Sequence, residues 1–319
     1  TAVGYQAGDA ITTGTQNVAI GVGAIGSVTT GNYNTAIGTN SLYVATTASN
    51  NTALGYSTLH NNTGGNNTAV GHQALYTNTS AANNVAVGYQ AMYSNTTGTR
   101  NNALGYLALT TNSAGQDNTA MGYLALRYAT GNYNTAFGSY AGTAQQGSQL
   151  NTLIGYEAGL ALTSGAVNTI VGARAMKSAT TADSNTGLGY GVMGLTTTGV
   201  QNVAVGRDAL VSNTTGSNIV AIGFEAMYSD PTATECVAVG YRALRNQTAD
   251  CRNTAVGFAA GQNITTATGV TIVGQEALEN LTTGSQSTAV GSQALRNQTT
   301  SSENTAVGYQ AGVLVTTGV

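Results

Sequence analysis

The side chains that could carry acid–base or metal chemistry are few in this 319-residue chain, and they are scattered. His60 and His72 have no cluster of cysteine, histidine and aspartate around them at metal-ligand spacing, so we expect both to be solvated surface residues. Asp208 and Glu225, 17 residues apart, are the best candidates for a glycosidase-like carboxylate pair. Arginines lie beside both in the repeat, which favours a solvated ladder of charges. We therefore predict no catalytic, cofactor-binding or metal-binding residue and no enzyme.

One short motif, Asn-Thr-Ala-Val-Gly and its close variants, repeats along the whole chain. Sixteen of its eighteen spacings are 17 residues and the other two are 16. Such a period indicates one structural unit stacked on itself. The nineteen motif glycines are Gly4, Gly21, Gly38, Gly55, Gly71, Gly88, Gly105, Gly122, Gly138, Gly155, Gly172, Gly189, Gly206, Gly223, Gly240, Gly257, Gly274, Gly291 and Gly308.

The residue types at each position of the repeat predict its local structure. We number places 1 to 17 from the motif asparagine, so that one copy runs from Asn84 at place 1 to Arg100 at place 17. Place 2 is nearly always Thr or Val and place 4 is always a large apolar residue, which is typical of a β-strand; we expect place 2 to follow the inward period. The invariant glycine at place 5 suits a corner with positive φ or close backbone approach, and Thr-Thr-Gly at places 13 to 15 is typical of a turn. No apolar stripe of helical period is present.

The predicted fold is all-β, a parallel β-solenoid of about nineteen 17-residue coils forming one continuous array over residues 1–319. Stacking at ~4.8 Å per coil gives a rod of about 90 Å. The array begins at place 2 with Thr1 and ends at place 16 with Val319. We expect it either to be part of a longer protein or to stack end to end on a neighbouring copy, because a bare end coil presents unpaired backbone groups.

Charge is sparse, at 7% of residues with a net charge of −3, which argues against nucleic-acid binding and a polybasic membrane patch. No apolar run approaches the roughly 20 residues of a membrane span. Most charges occupy places 7, 10, 16 or 17, which we assign to the exterior. Opposite charges recur 17 residues apart, so we expect them to stack on adjacent coils. These pairs are Glu157 and Arg174, Glu225 and Arg242, and Glu279 and Arg296.

Two regularities predict how the interior is filled. Place 9 is usually Leu, Met or Ile, but where it is Gly, as at Gly8 and Gly261, place 12 is usually aliphatic, so the two places share one core volume. Gly142 with Gln145 is an exception. Asparagine at place 1 predicts a ladder of stacked amides along the coils. That ladder is interrupted at Ile219, Cys236, Val270 and Ser287, where we expect a different corner.

The two cysteines occupy places that coil closure brings together. Cys236 is at place 1 and Cys251 at place 16 of the same coil, so their Cα atoms should approach to roughly 5–7 Å. A disulfide would fit an extracellular protein. Two free thiols at one corner are the alternative.

Nine tyrosines occupy place 6, beside the exterior place 7, and we expect them to be partly exposed. Such a strip could pack against a sister chain, which we favour, or bind sugars. The candidates for interface or glycan contact are Tyr56, Tyr89, Tyr106, Tyr123, Tyr156 and Tyr241; Tyr5, Tyr190 and Tyr309 complete the series.

A second asparagine series at place 11 lies within Asn-x-Thr sequences, which match the N-glycosylation signal. Its members are Asn246, Asn263, Asn280 and Asn297. Glycans on successive coils ~4.8 Å apart would crowd, so we do not expect all four to be occupied.

Motifs such as Asn17-Val18-Ala19-Ile20-Gly21 resemble the head repeats of trimeric autotransporter adhesins. The longer form at residues 304–311, Asn-Thr-Ala-Val-Gly-Tyr-Gln-Ala, is similar to repeats in tail-fibre-like proteins of bacteriophages. This resemblance implies a left-handed parallel β-roll, a trimer, an extracellular location, and attachment to cells or surfaces.

These observations together favour a non-catalytic extracellular structural fibre or filament shaft that presents or spaces an adhesive or receptor-binding function. Its expected partners are copies of itself, as a trimer or an end-to-end filament, and a cell-surface or glycan receptor, without nucleic acid or membrane insertion. The alternative is a solenoid that binds glycans or ice through a regular face such as the threonine column at place 2. A polysaccharide-processing enzyme would need a carboxylate cluster, which the sequence lacks.

Overall fold

A computed structural model describes residues 1–249 and 251–317; Val319, at which the last coil ends in the sequence, lies outside the described residues. The described residues contain short β-strands and turns and no helix, so the prediction of an all-β solenoid is confirmed. Backbone contacts divide the chain into two units, residues 1–156 and 157–319.

The first unit is a parallel β-solenoid in which each strand pairs with the next along the chain. Each coil supplies one strand, from places 2 to 4 of the repeat, except that β1 covers only places 3 and 4. The strands are β1 Ala2–Val3, β2 Val18–Ile20, β3 Thr35–Ile37, β4 Thr52–Leu54, β5 Thr68–Val70, β6 Val85–Val87, β7 Asn102–Leu104, β8 Thr119–Met121, β9 Thr135–Phe137 and β10 Thr152–Ile154.

The second unit repeats this architecture, again with parallel pairing in chain order. Its strands are β11 Thr169–Val171, β12 Thr186–Leu188, β13 Val203–Val205, β14 Val220–Ile222, β15 Val237–Val239, β16 Thr254–Val256, β17 Thr271–Val273, β18 Thr288–Val290 and β19 Thr305–Val307.

Strand register is the same in the 16-residue coils as in the 17-residue coils. Thr52 pairs with Thr68, sixteen residues on, and Thr119 pairs with Thr135 in the same way. The missing residue belongs to the turn at places 13 to 15, where Thr63 already bonds to the equivalent Thr79 of the next coil. The turn therefore absorbs the deletion, and the strand does not move.

The strand orientation corrects one expectation from the sequence. Place 3, usually alanine, points inward, and places 2 and 4 both point outward: Ala86 is fully buried, whereas Val85 and Leu104 are 41% and 45% exposed. The prediction that place 2 follows the inward period is therefore wrong. The physical reason is that the coil interior beside the strand has room for only one small side chain, so the middle residue points inward and its two neighbours point outward.

The corner glycines at place 5 satisfy both conditions that the sequence suggested. In the six glycines Gly21, Gly38, Gly55, Gly71, Gly88 and Gly105, φ lies between +126° and +145°. A Cβ on Gly55 would lie 2.5 Å from the carbonyl oxygen of Gly71 in the next coil. Any side chain at this corner would therefore force adjacent coils apart.

At three further corners, residues other than glycine adopt a left-handed backbone conformation. This was not predicted from the sequence. Places 7, 9 and 17 adopt φ near +55° in most coils, for example Gln90 at +49°, Leu75 at +51° and Tyr33 at +59°. Such residues cost of order 1–3 kcal/mol each and persist only where surrounding contacts fix them. In this fold those contacts are the backbone hydrogen bonds to neighbouring coils, such as Leu75 N–H to the carbonyl of Ala91 at 3.0 Å.

The interior shares volume as predicted, both within and between coils. A Cβ on Gly8 would meet Ile11 at 3.2 Å, and one on Gly261 would meet Ile264 at 2.9 Å. The exception at Gly142 has an explanation in the next coil: Leu153, which replaces alanine at place 3, would lie 2.9 Å from a Cβ there. Core compensation therefore operates between adjacent coils as well as inside one.

Candidate functional surfaces

Charged residues form ladders on the outside of the coils, as the sequence predicts. The three expected pairs join arginine Nε to glutamate Oε2 at 3.3 Å for Glu157 and Arg174, 2.9 Å for Glu225 and Arg242, and 2.7 Å for Glu279 and Arg296. A further pair that was not predicted joins Arg100 to Asp117 through two hydrogen bonds of 2.7 and 2.8 Å. Its signal in the sequence is the same 17-residue spacing.

Both carboxylates of the candidate pair are hydrogen-bonded to arginine side chains. Asp208 accepts a hydrogen bond from Arg207 at 3.1 Å, and Glu225 accepts from both Arg242 and Arg245. Partial burial pushes the pKa of Glu225 upward, but the two arginine hydrogen bonds outweigh it, so that pKa is lowered. A carboxyl group with a lowered pKa is held ionised and is a poor general acid.

Both histidines are held between tyrosine rings. His60 stacks between Tyr43 and Tyr76 with centroids 5.3 and 5.0 Å apart, and His72 between Tyr56 and Tyr89 at 5.1 and 5.2 Å. The described residues contain no group of three or more histidine, cysteine, aspartate or glutamate side chains that could hold a metal ion.

The place-6 tyrosines form a stacked ladder along the coils. Tyr89, Tyr106 and Tyr123 stack with centroids 5.1 and 5.3 Å apart and ring planes within 12° of parallel. In the second unit, Tyr241 stacks between Phe224 and Phe258. Tyr156 differs, because it meets the place-7 residue Tyr140 edge to face at 6.3 Å.

This stacking limits what the six candidate tyrosines can bind. Their side chains are 38–50% exposed, in agreement with the expectation of partial exposure. Within the ladder, however, both faces of an interior ring such as Tyr106 lie against neighbouring rings. Sugar stacking requires a free ring face, so interior members offer an outside partner only ring edges and hydroxyl groups.

A second aromatic ladder at place 10 was missed from the sequence. It runs through Tyr43, His60, Tyr76 and Tyr93, and the last two rings are 5.2 Å apart and 3° from parallel. Recurrence of aromatic residues at spacings of 16 and 17 residues was the available signal.

The two cysteines are joined in a disulfide, with Cα atoms 6.2 Å apart, within the range expected from coil closure. Both side chains are buried. The bond links place 1 to place 16 of one coil, at a point where the asparagine ladder is interrupted.

The place-1 asparagines are buried and bonded along the coils. Asn34 donates its side-chain amide to the carbonyl of Ala48 in its own coil at 2.8 Å, and its backbone N–H donates to the side-chain oxygen of Asn17 in the previous coil at 2.9 Å. At the interruptions the φ of place 17 stays positive, as at Asn218 and Glu235, so the backbone corner persists. The local changes are in side chains and in one added strand-like bridge between Ser217 and Thr234.

The four place-11 asparagines form their own outward series. Asn246 donates its side-chain amide to Asn263 at 3.1 Å, and Asn263 donates to Asn280 at 3.3 Å. Their amides are therefore used in contacts along the coils.

The outward face of the strands is a regular surface in each unit. It consists of the side chains at places 2 and 4, and we call it the strand face. Place 4 is apolar in every coil and place 2 is Thr, Val or, once, Asn102, so no charged residue lies on this face. Its threonine hydroxyls make no hydrogen bond within the described part of the protein, whereas place-13 threonines such as Thr96 donate to a carbonyl of the next coil.

No helix among the described residues is long and apolar enough to cross a membrane. No known protein family matches the chain, and no curated protein is similar to it.

Proposed function

We propose that this chain is a non-catalytic structural protein, the shaft of an extracellular fibre or filament that presents or spaces an adhesive or receptor-binding function. One observation supports this most: the polar residues that could have formed a site are instead used in contacts between coils. Arginine–glutamate pairs, aromatic ladders and asparagine amides all bond along the coils. Such a protein gains stability from each added coil, which suits a spacer.

The proposed location is extracellular, and the disulfide between Cys236 and Cys251 supports it, because such bonds persist in oxidising compartments. The proposed partners are copies of this chain and a cell-surface or glycan receptor. The resemblance to adhesin head repeats and phage tail-fibre repeats further predicts a left-handed coil and a trimer.

The first experiment measures the mass of the purified chain by light scattering, with cryo-electron microscopy of the same sample. Elongated particles of three chains, or long filaments with a ~4.8 Å repeat, are the expected results. Turnover of any polysaccharide in a glycan panel would contradict the non-catalytic assignment. Compact particles would contradict the fibre.

A second candidate function is binding of an ordered surface such as ice, and one observation favours it. The threonine column at place 2 faces outward with unbonded hydroxyls, for example at Thr52 and Thr68. Inhibition of ice recrystallisation by the purified protein tests this function directly.

A further inference from the structure

We infer that the strand face is a self-association surface and that its occupant is the strand face of a second copy of this chain. The inference rests on the proposed function in one respect, because it identifies the surface through which shafts would associate. It differs from the expectation based on the place-6 tyrosines, whose interior ring faces are already covered within the chain.

Exposure of apolar side chains is the first argument. At place 4 of the first unit, Leu54, Leu104, Met121 and Phe137 are each more than a third exposed, although all four are large apolar residues. Val70 and Val87, on the two coils between Leu54 and Leu104, are half-buried. Contiguous apolar patches larger than a few hundred Å² are rare on soluble monomers and mark interaction sites. Here the patch continues through every strand of the unit.

The area of the face is the second argument. Ten strands at ~4.8 Å spacing and three residues at ~3.3 Å each give about 500 Å² of sheet plane for the first unit. Two such faces in contact would bury about 1,000 Å² in total, which is close to the lower limit for a specific interface. Side chains at the flanks, including Tyr89 and Tyr106, would add to it.

Charge is the third argument. A surface that pairs with itself must not place like charges opposite each other. The strand face has none, and the nearest charged residues in the first unit, Arg100 and Asp117 at place 17, neutralise each other. Two copies can therefore approach without an electrostatic penalty, and face-to-face sheets then pack ~10 Å apart.

The irregularity of the face favours a second copy over ordered water. The threonine column is broken by Val18, Val85 and Asn102 in the first unit and by three consecutive valines in the second, Val203, Val220 and Val237. Place 4 varies in size from valine to Phe137. A lattice requires a uniform row, whereas two sets of side chains can interdigitate around such variation.

The test compares two triple-lysine variants in the same three coils. The face variant is Val70→Lys/Val87→Lys/Leu104→Lys, with the three lysines at place 4. The control is Ser80→Lys/Thr97→Lys/Ala114→Lys, at the exposed place 14 in the turn. Both variants carry the same added charge at the same spacing along the coils, on two different surfaces. Val70 and Val87 are half-buried whereas the three control positions are exposed, so the folding of the face variant must be checked. Circular dichroism and thermal unfolding check folding, and a neutral variant, Val70→Thr/Val87→Thr/Leu104→Thr, replaces the lysine variant if that one does not fold.

Light scattering over a concentration series is the readout. We expect wild type and control to contain pairs of chains joined through this face, and the face variant to dissociate to the monomer mass or to need at least a tenfold higher concentration to associate. An oligomeric face variant would overturn the inference, and so would a monomeric wild type. If that monomer inhibits ice recrystallisation and the face variant does not, the face binds ordered water instead. An elongated monomer would overturn the interface while leaving the proposed shaft function standing; glycan turnover would overturn the function alone.

Discussion

Asn101 illustrates how single buried side chains hold this solenoid together. Its side-chain amide donates to the carbonyl of Gly115 in the same coil at 2.8 Å, which closes the coil. Its side-chain oxygen accepts from the backbone N–H of Asn118 in the next coil at 2.9 Å, which joins the coils. One residue type thus performs both tasks in several coils, as at Asn34, Asn101 and Asn185.

Asn101→Ala should destabilise the protein by about 1–3 kcal/mol, because it leaves the buried N–H of Asn118 without an acceptor and removes one of the two amide donors to the carbonyl of Gly115, the other being Asn112. Asn102→Ala is the matched control: it is the adjacent asparagine, but it lies exposed on the strand face, and its loss should change stability by less than about 0.5 kcal/mol. Urea unfolding of both variants measures the difference. Equal losses would show that the ladder amide is not stabilising.

The interactions of the Glu225 side chain predict how the stability of the protein depends on pH. Its folded-state pKa is lowered, because hydrogen bonds from Arg245 and Arg242 overcome the effect of burial. A lowered folded pKa means that the carboxylate stabilises the protein above its ordinary pKa of 4.5 and that this contribution is lost as the pH falls through the folded-state value. Because the pair is near the surface, we expect at most about 1 kcal/mol.

Glu225→Gln should therefore lower the free energy of unfolding at pH 7, and the difference from wild type should disappear in acid. Glu303→Gln, at an exposed place 17, is the control and should change little at either pH. Urea unfolding at pH 7 and pH 3 gives the comparison. A difference that grows in acid would have the wrong sign for this explanation.

At the scale of the element, the coil is a set of tight corners fixed by its neighbours. Its closure is secured by an asparagine amide in most coils and by a disulfide in one. Cys236 replaces the place-1 asparagine and bonds to Cys251, 15 residues on, where asparagine would have bonded to place 15. We interpret the disulfide as a covalent substitute for the amide.

Replacing both cysteines, Cys236→Ser with Cys251→Ser, should destabilise the second unit by about 3 kcal/mol, the value for closing a loop of about 15 residues. Cys236→Asn with Cys251→Ser should recover part of that loss, because the new amide oxygen can accept from the backbone N–H of Asn253. Guanidinium unfolding of the three proteins, with hydrogen exchange of the second unit, tests this. Serine and asparagine variants of equal stability would contradict the substitution of one closure by the other.

At the scale of the whole molecule, each unit is built from nearest-neighbour contacts between coils. Strand pairs, ladders and core compensation all connect residues of one coil or of adjacent coils. Stability should therefore be close to a sum over coils and their interfaces. This architecture has no single centre whose loss would unfold it.

Deletion of residues 85–101, one complete coil, should leave a folded protein with slightly lower stability and a slightly lower denaturant m-value. Deletion of residues 85–92 should abolish local structure, because it sets place 10 after place 1 and turns inward residues outward. Circular dichroism and urea unfolding distinguish the two. If both deletions behave alike, register does not control stability in this unit.

Much of this architecture could be predicted from the sequence, because equivalent places of successive repeats occupy the same local environment. The parallel solenoid, the corner glycines, the three arginine–glutamate pairs, the shared core volume and the closeness of the cysteines are all contacts between equivalent places or within one coil. For such contacts, a fixed spacing in the sequence corresponds to a short distance in the structure. An invariant glycine or a charge pair of fixed period is then a direct physical signal.

The tertiary structure decided which way the side chains point. Alternation in a three-residue strand is equally consistent with one inward position or two, and the prediction that the place-2 side chain points inward was wrong. The space inside the coil decides which residues point inward. At most place-3 positions only an alanine-sized side chain fits, and a larger one requires space in an adjacent coil, as Leu153 does beside Gly142. The same geometry brings the aromatic rings face to face and turns the large apolar residues of place 4 toward solvent. The direction in which a side chain points depends on packing across the whole coil, which the residue types of one repeat do not specify.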